Sequence, residues 1–80
     1  MIRIKAFTPG MKLDVCDTEN IWCPAKILQV IKSNSNISVL IHYEGWSSKF
    51  DELINSNSDR LAPAGLITSK DSSLIRNSKI

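Results

Sequence analysis

Turn-forming residues recur along this chain at intervals too short for long helices, and this spacing restricts the fold more than any other feature. Turns rich in Pro, Gly, Asn, Asp and Ser stand at 9–10, 17–20, 33–36 and 55–59. Short stretches rich in apolar or β-branched residues lie between them, and no sustained helical apolar period is present. The pattern predicts a domain built from short β-strands.

Five of these stretches are predicted to be strands. They are residues 11–15, 22–31, 37–43, 50–54 and 61–63. The first alternates apolar and polar residues, which is typical of a strand with one face in the core and one in solvent. In the third, a register that places Val39 and Ile41 inward also places Tyr43 on the core face at the strand end. Five short strands favour a small, strongly bent barrel, because closure suppresses open sheet edges.

The composition is that of one ordinary globular domain. The chain has 80 residues, of which 42% are hydrophobic and 22% charged, and these fractions are normal for a folded protein. A domain of this size has room for a shallow surface pocket but not for a deep catalytic cleft. We place the barrel at 1–65 and expect 66–80, which is Ser-rich and weakly patterned, to form a flexible C-terminal tail.

The net charge of +2 lies at the C-terminal end. Residues 1–65 carry seven Lys or Arg and seven Asp or Glu, whereas 66–80 carry three bases against one acid. A balanced body is not the strongly basic footprint of a dedicated nucleic-acid binder. Nucleic-acid binding through the tail is therefore a secondary interpretation.

Other classes of protein are not favoured. No apolar run approaches the length that a bilayer requires, and no signal peptide is recognisable. The two cysteines, Cys16 and Cys23, are too few for a disulfide scaffold and fit no zinc motif, so a cytosolic or nuclear compartment is expected. A zinc site that combined them with His42 would lack a fourth ligand. We expect no catalysis, metal or cofactor from this chain, although the parent protein can carry a catalytic domain elsewhere.

The segment 41–53 combines aromatic rings with carboxylates. Tyr43, Trp46 and Phe50 are three of the five aromatic residues in the chain, and three acidic residues stand among them. Ring faces attract organic cations, and methylated ammonium groups are recognised in this way by aromatic cages. The alternative is that these rings form the core, since a small barrel needs large apolar side chains. Few other large residues stand nearby, and this favours a binding pocket over a purely structural role.

Five motifs in sequence order resemble those of Tudor-like and chromo-barrel domains, which belong to the Royal group of chromatin proteins. The motifs lie at 7–14, 22–27, 41–46, 50–53 and 59–63. The resemblance extends from Phe7 to Pro63 and is greatest to Tudor domains found beside PHD fingers. It implies an all-β, SH3-like five-stranded barrel that binds methylated lysine, usually on a histone tail. It also implies a nuclear, monomeric and non-enzymatic reader module.

The resemblance assigns ring positions to individual residues. Tyr43, Trp46 and Phe50 match three aromatic positions of the family's cage, and the fourth, usually Tyr, aligns with Cys23. A thiol supplies a small apolar wall but no π face. The implied cage for methyl-lysine therefore has three rings, with Cys23 closing it.

Two acidic residues are candidates for a carboxylate in this cage. Asp17 and Glu44 fall at or beside positions where the family often has a polar or acidic residue. A carboxylate accepts a hydrogen bond from a mono- or dimethyl ammonium, whereas a trimethyl ammonium has no N–H to donate. If either carboxylate reaches the pocket, we expect the domain to prefer the lower methylation states.

Two other functions stay open at this point. One is weak nucleic-acid binding. The other is a degenerate barrel that acts as a protein-interaction scaffold, its cage lost because Cys23 has replaced the fourth ring. Replacing Cys23 by Tyr would separate the scaffold from the reader, since new or stronger methyl-lysine binding would mean that the native cage is impaired. The leading prediction is a methylated histone or other methyl-lysine peptide as partner, with no membrane association.

Overall fold

Five antiparallel strands and one short 3₁₀ helix make up residues 4 and 6–68, the part of the chain that the computed structural model describes. They are β1 (Lys12–Cys16), β2 (Trp22–Ser33), β3 (Asn36–Tyr43), the 3₁₀ helix η1 (Ser48–Phe50), β4 (Glu52–Asn55) and β5 (Leu61–Pro63). The strands form one sheet in the order β4-β3-β2-β1-β5, with β4 and β5 at its edges. The prediction of a small five-stranded all-β domain is confirmed.

The long strand β2 gives the sheet its bend. Its first half pairs with β1, from Trp22 opposite Cys16 to Lys26 opposite Lys12, and the part from Ala25 to Ser33 pairs with β3. The register with β3 shifts between Ile27 and Gln29. A β-bulge of this kind bends a strand and increases its twist, so one strand contributes to both halves of the curved sheet.

The core is formed by inward-facing side chains from all five strands. Val39 and Ile41 are fully buried and Tyr43 is 3% exposed, so the predicted register of β3 is confirmed. Cys23, Ala25 and Ile27 alternate inward along β2 in the same way. Further core residues are Leu13, Val15, Trp46, Ile54, Leu61 and Ala62.

Asparagines in left-handed conformations make two of the tight turns. Asn34 has a φ of 55° between β2 and β3, and Asn20 has a φ of 63° between β1 and β2. Asn adopts this region more readily than most residues. The hairpin that the sequence predicts at 33–36 is therefore present, and the second turn brings the end of β1 back to β2.

Asp14 departs from the predicted alternation of β1. The pattern placed its side chain in solvent, but Asp14 is 1% exposed. Its carboxylate accepts hydrogen bonds from the backbone N–H groups of Gly65, Ile67 and Thr68 at 2.9–3.1 Å, and from the Thr68 hydroxyl at 3.0 Å. Residues 65–68 thus cover the outer face of β1, which the predicted boundary at 65 had assigned in part to the tail. The rest of that predicted tail, 69–80, lies outside the described residues.

Candidate functional site

A pocket opens at one end of the sheet, between the β1–β2 turn and the chain that follows β3. Its volume is about 370 Å³, within the usual range for a small-ligand site. Three aromatic residues and four acidic residues contribute to its lining. The lining residues are Asp17, Thr18, Glu19, Tyr43, Trp46, Lys49, Phe50, Asp51 and Glu52. The pocket therefore has the mixture of rings and carboxylates that suits an organic cation.

The three rings of the segment 41–53 meet in this pocket. Tyr43 ends β3, Gly45 turns the chain with a φ of 84°, and Phe50 closes η1. The ring centroids of Tyr43 and Trp46 are 6.1 Å apart with planes at 49°. Those of Trp46 and Phe50 are 5.2 Å apart with perpendicular planes. Rings at such angles present walls in different directions, as an enclosing site requires.

Trp46 and Tyr43 also belong to the core, and Phe50 packs against it. The two interpretations of the rings, core and pocket, therefore describe the same side chains. Trp46 is 9% exposed, so most of its surface packs against the barrel while part of it lines the pocket. Packing of this kind keeps the pocket walls in place without a ligand.

The hydroxyl of Tyr43 is held by two charged residues. It donates a hydrogen bond to Glu52 Oε2 and accepts one of 3.3 Å from Arg60 Nη2. Arg60 Nη2 also donates to Glu52 Oε2 at 2.7 Å. Burial, followed by the hydrogen bond to Glu52, raises the pKa of Tyr43 well above its ordinary value, so the phenol stays neutral. This network fixes the orientation of one pocket wall.

Asp17 supplies a buried carboxylate to the lining of the pocket. The residue is 8% exposed, and its Oδ1 accepts hydrogen bonds from the N–H groups of Glu19 at 2.8 Å and Ile21 at 3.0 Å. The Cys23 thiol lies 3.7 Å from Oδ2 and donates to it. These backbone donors hold the carboxylate in one orientation. The first of the two predicted acids thus lines the pocket.

Glu44, the second predicted acid, is not among the lining residues. Its Oε1 lies 3.2 Å from Lys12 Nζ, with both side chains substantially exposed. Its backbone N–H donates to the carbonyl of Pro24. Glu44 is the first residue of the turn that follows β3, and its side chain is drawn to Lys12 on β1. It therefore points towards β1 rather than towards the rings.

Cys23 lies behind Asp17 instead of closing the pocket. It is 1% exposed, stands opposite Val15 in the β1–β2 ladder, and is not a lining residue. Its thiol also lies 3.5 Å from the carbonyl oxygen of Ile21. The register of β2 directs Cys23 into the core, so in this structure its contact with the site is made through the Asp17 carboxylate.

The sequence assigned no individual role to four residues at or beside the pocket, which are Lys49, Asp51, Glu52 and Arg60. Glu52 and Arg60 hold Tyr43, and Asp51 Oδ1 lies 2.7 Å from His42 Nδ1. Lys49 Nζ lies 5.3 Å from the centroid of the Phe50 ring, over its face. The acids were visible beside the rings in the sequence. Their partners were not, because contacts such as that between Arg60 and Cys16 join residues far apart in the chain.

A small five-stranded all-β domain with three rings and a buried carboxylate in one pocket has the chemistry of a cation-binding module. The family model of the MBT repeat matches residues 11–78. The chain therefore belongs to the MBT repeat family, a Royal-family module that binds methylated lysine peptides and is not catalytic. The predicted membership of the Royal group is confirmed. The match does not support the narrower likeness to Tudor domains beside PHD fingers.

No curated protein sequence matches this chain. Over residues 4 and 6–68, no helix is long and apolar enough to span a bilayer. Within the same described part, no group of three or more His, Cys, Asp or Glu side chains is arranged to hold a metal ion.

Proposed function

We propose that this chain binds a peptide carrying a methylated lysine, whose ammonium group enters the pocket between Tyr43, Trp46 and Phe50. The observation that carries the proposal is the convergence of these three rings on one pocket with the Asp17 carboxylate in its lining. The membership of the MBT repeat family supports the same ligand class. The pocket acts by binding alone.

Two forces act on the ligand in this arrangement. The negative faces of the rings attract the ammonium charge. The N-methyl groups lose contact with water against the rings, and this adds a hydrophobic contribution. An unmethylated lysine is more strongly hydrated and gains less from the same walls, so methylation increases affinity. With about 0.5–1 kcal/mol from each exposed ring contact, an isolated peptide is expected to bind in the micromolar to millimolar range.

Asp17 gives the pocket a preference for lower methylation states. A monomethyl or dimethyl ammonium retains an N–H that can donate to this carboxylate, and a trimethyl ammonium does not. Because Asp17 is nearly buried, a bond to it forms away from bulk water and is stronger than one at an exposed acid. Glu44 does not take this role, because its side chain is paired with Lys12 outside the pocket.

We further propose that the peptide is a histone tail and that the protein acts in the nucleus as a chromatin reader. The acidic character of the pocket lining suits a ligand whose methylated lysine is flanked by further basic residues. The domain is proposed to act as a monomer. Nucleic acid is a less suitable ligand for this site, because Asp17, Glu19, Asp51 and Glu52 line it and would repel phosphates.

A titration of the isotope-labelled domain with otherwise identical histone-tail peptides tests this function. The peptides would carry lysine in the unmethylated, monomethyl, dimethyl and trimethyl forms. We expect the Trp46 indole resonance to shift with the methylated peptides, most at monomethyl and dimethyl lysine. Trp22, which does not line the pocket, provides the matched internal control. Shifts that do not depend on methylation, or that are confined to Trp22, would contradict the proposal.

A further inference from the structure

Arg60 does not line the pocket, but it bonds to two lining residues, Tyr43 and Glu52, and to Cys16, the neighbour of a third, Asp17. Its Nε–H donates to the carbonyl oxygen of Cys16 at 2.7 Å, and its own carbonyl accepts from the Cys16 N–H at 2.8 Å. Its Nη2 donates to Glu52 Oε2 at 2.7 Å and to the Tyr43 hydroxyl at 3.3 Å. One side chain therefore joins the end of β1 to the start of β4 and the end of β3.

The contact with Cys16 bears directly on Asp17. The Cys16 carbonyl and the Asp17 N–H belong to one planar peptide unit. Arg60 binds the carbonyl end of this unit, and the carbonyl oxygen of Ile21 accepts from the N–H end at 2.8 Å. The plane is thus held at both ends, and its orientation sets the direction in which the Asp17 side chain leaves the backbone.

The contact with Glu52 and Tyr43 fixes a second part of the pocket lining. The side chains of Arg60 and Glu52 are 34% and 24% exposed, so their ion pair is better shielded than an ordinary surface pair. The Tyr43 hydroxyl is bonded to both members. Movement of the guanidinium would therefore disturb the Tyr43 ring as well as the Cys16–Asp17 peptide.

We propose that Arg60 is a positioning residue that sets the separation between the Asp17 carboxylate and the Tyr43 ring, and thereby the discrimination among methylation states. This inference rests on the proposed function and deepens it. The planar guanidinium makes divergent hydrogen bonds at the same time, from Nε to β1 and from Nη2 to Glu52 and Tyr43. A lysine ammonium is a single point of charge and cannot reach both sides together.

The substitution Arg60→Lys tests the proposal, because it keeps the positive charge and removes the planar guanidinium with its separate Nε and Nη2 donors. We expect affinity for a dimethyl-lysine peptide to fall about tenfold, the effect of losing one charge-assisted hydrogen bond. Affinity for the trimethyl peptide should fall less, since that ligand does not depend on the Asp17 bond. The ratio of the affinity for the dimethyl peptide to that for the trimethyl peptide therefore decreases. Lys12→Met, which removes the ion pair with Glu44 outside the pocket, is the control and should leave the ratio unchanged.

A second measurement needs no ligand. The amide N–H groups of Glu19 and Ile21 donate to Asp17, so their NMR shifts report its position, and the ring resonances of Tyr43 report the other wall. In Arg60→Lys both sets should shift together. Shifts confined to the neighbours of position 60, or an unchanged affinity ratio, would overturn the inference. If the wild-type domain binds no methylated peptide, the proposed function fails, and the coupled shifts alone still decide whether Arg60 positions Asp17.

Discussion

Asp17 is the residue on which the expected preference for lower methylation states depends. Replacing it with Asn keeps the shape of the side chain and removes its charge. We expect Asp17→Asn to weaken dimethyl-lysine binding about tenfold, because a charged acceptor is lost, and to change trimethyl-lysine binding much less. Isothermal titration with the two peptides measures both constants.

Glu44→Gln is the matched control for that substitution. Glu44 and Asp17 were equal candidates in the sequence, but only Asp17 lines the pocket. Glu44→Gln should therefore leave the methylation preference unchanged. A preference lost in Glu44→Gln and kept in Asp17→Asn would contradict the assignment of the carboxylate.

Lys49 places a positive charge of the protein itself at the pocket. Its Nζ is 5.3 Å from the Phe50 ring centroid, on a wall that the ligand cation would also use. Lys49→Gln removes the competing charge, and we expect binding of methylated peptide to strengthen about two- to fivefold. Lys49→Arg retains a cation over the ring and should not strengthen it. Fluorescence titrations with methylated peptide measure the affinities of the wild-type domain and the two variants. Equal affinities of Lys49→Gln and the wild-type domain would show that Lys49 does not compete with the ligand.

Tyr43 should make stability fall in alkaline solution. Its pKa is raised in the folded protein by burial and by the bond to Glu52, so the folded state keeps the proton after the unfolded chain has lost it. The contribution of Tyr43 to the free energy of unfolding is fully present below about pH 10, and above that pH it decreases by about 1.4 kcal/mol per pH unit. Unfolding by urea at a series of pH values measures the slope, and Tyr43→Phe should reduce it.

Two features make the alkaline experiment specific. Tyr43 is the only tyrosine in the chain, so tyrosinate absorbance in the folded domain reports this residue alone. Burial and the neighbouring Asp17 also raise the pKa of Cys16, and Cys16→Ser removes that second contribution. Tyrosinate absorbance that appears near the ordinary pKa while the domain is still folded would contradict the network described for Tyr43.

At the scale of the elements, Asp14 joins β1 to the segment that follows β5. The carboxylate is buried and accepts four hydrogen bonds from residues 65–68. Asp14→Asn replaces one acceptor oxygen with a donor facing N–H groups. We expect a loss of about 3 kcal/mol in the free energy of unfolding, measured by urea denaturation, together with faster amide exchange at Ile67 and Thr68.

Truncation provides an independent check of the same contact. A chain that ends at Gly65 lacks three of the four donors to Asp14, whereas one that ends at Thr68 keeps them all. The shorter chain should be the less stable of the two. Equal stability would show that the Asp14 bonds contribute nothing to the barrel.

The strands were predictable because their signals are local. The turns at 17–20 and 33–36 carry asparagines that adopt the left-handed region in the structure, and the alternation of Val39, Ile41 and Tyr43 fixes a core face. The short helix η1 was not predicted, although Ser47 accepts a hydrogen bond from the Lys49 N–H at its start. One turn of 3₁₀ helix has too little periodicity to be recognised in a sequence.

The contacts that shape the site were not predictable because they join distant parts of the chain. The burial of Asp14 depends on donors from 65–68, more than fifty residues away. The pairing of Arg60 with Cys16 spans 44 residues. The resemblance placed Cys23 at a cage position, whereas in the structure it is not a lining residue and its thiol contacts Asp17, a contact that forms only when the β1–β2 turn is folded.

At the scale of the whole molecule, charge is distributed in a way that suits a local cation site. Residues 1–65 are balanced in charge, yet the pocket is lined by four acids and one base. A domain with this distribution does not attract a polyanion over its surface, but it holds a negative potential where the rings converge. The proposed ligand therefore enters at one end of the barrel.

The most direct test of the central claim is a measurement of intermolecular nuclear Overhauser effects between a dimethyl-lysine peptide and the domain. We expect contacts from the N-methyl protons to the ring protons of Tyr43, Trp46 and Phe50, with none to Trp22. Observation of all three would place the ammonium group in the pocket. A saturated complex whose N-methyl protons contact none of these rings would rule out this pocket as the methyl-lysine site.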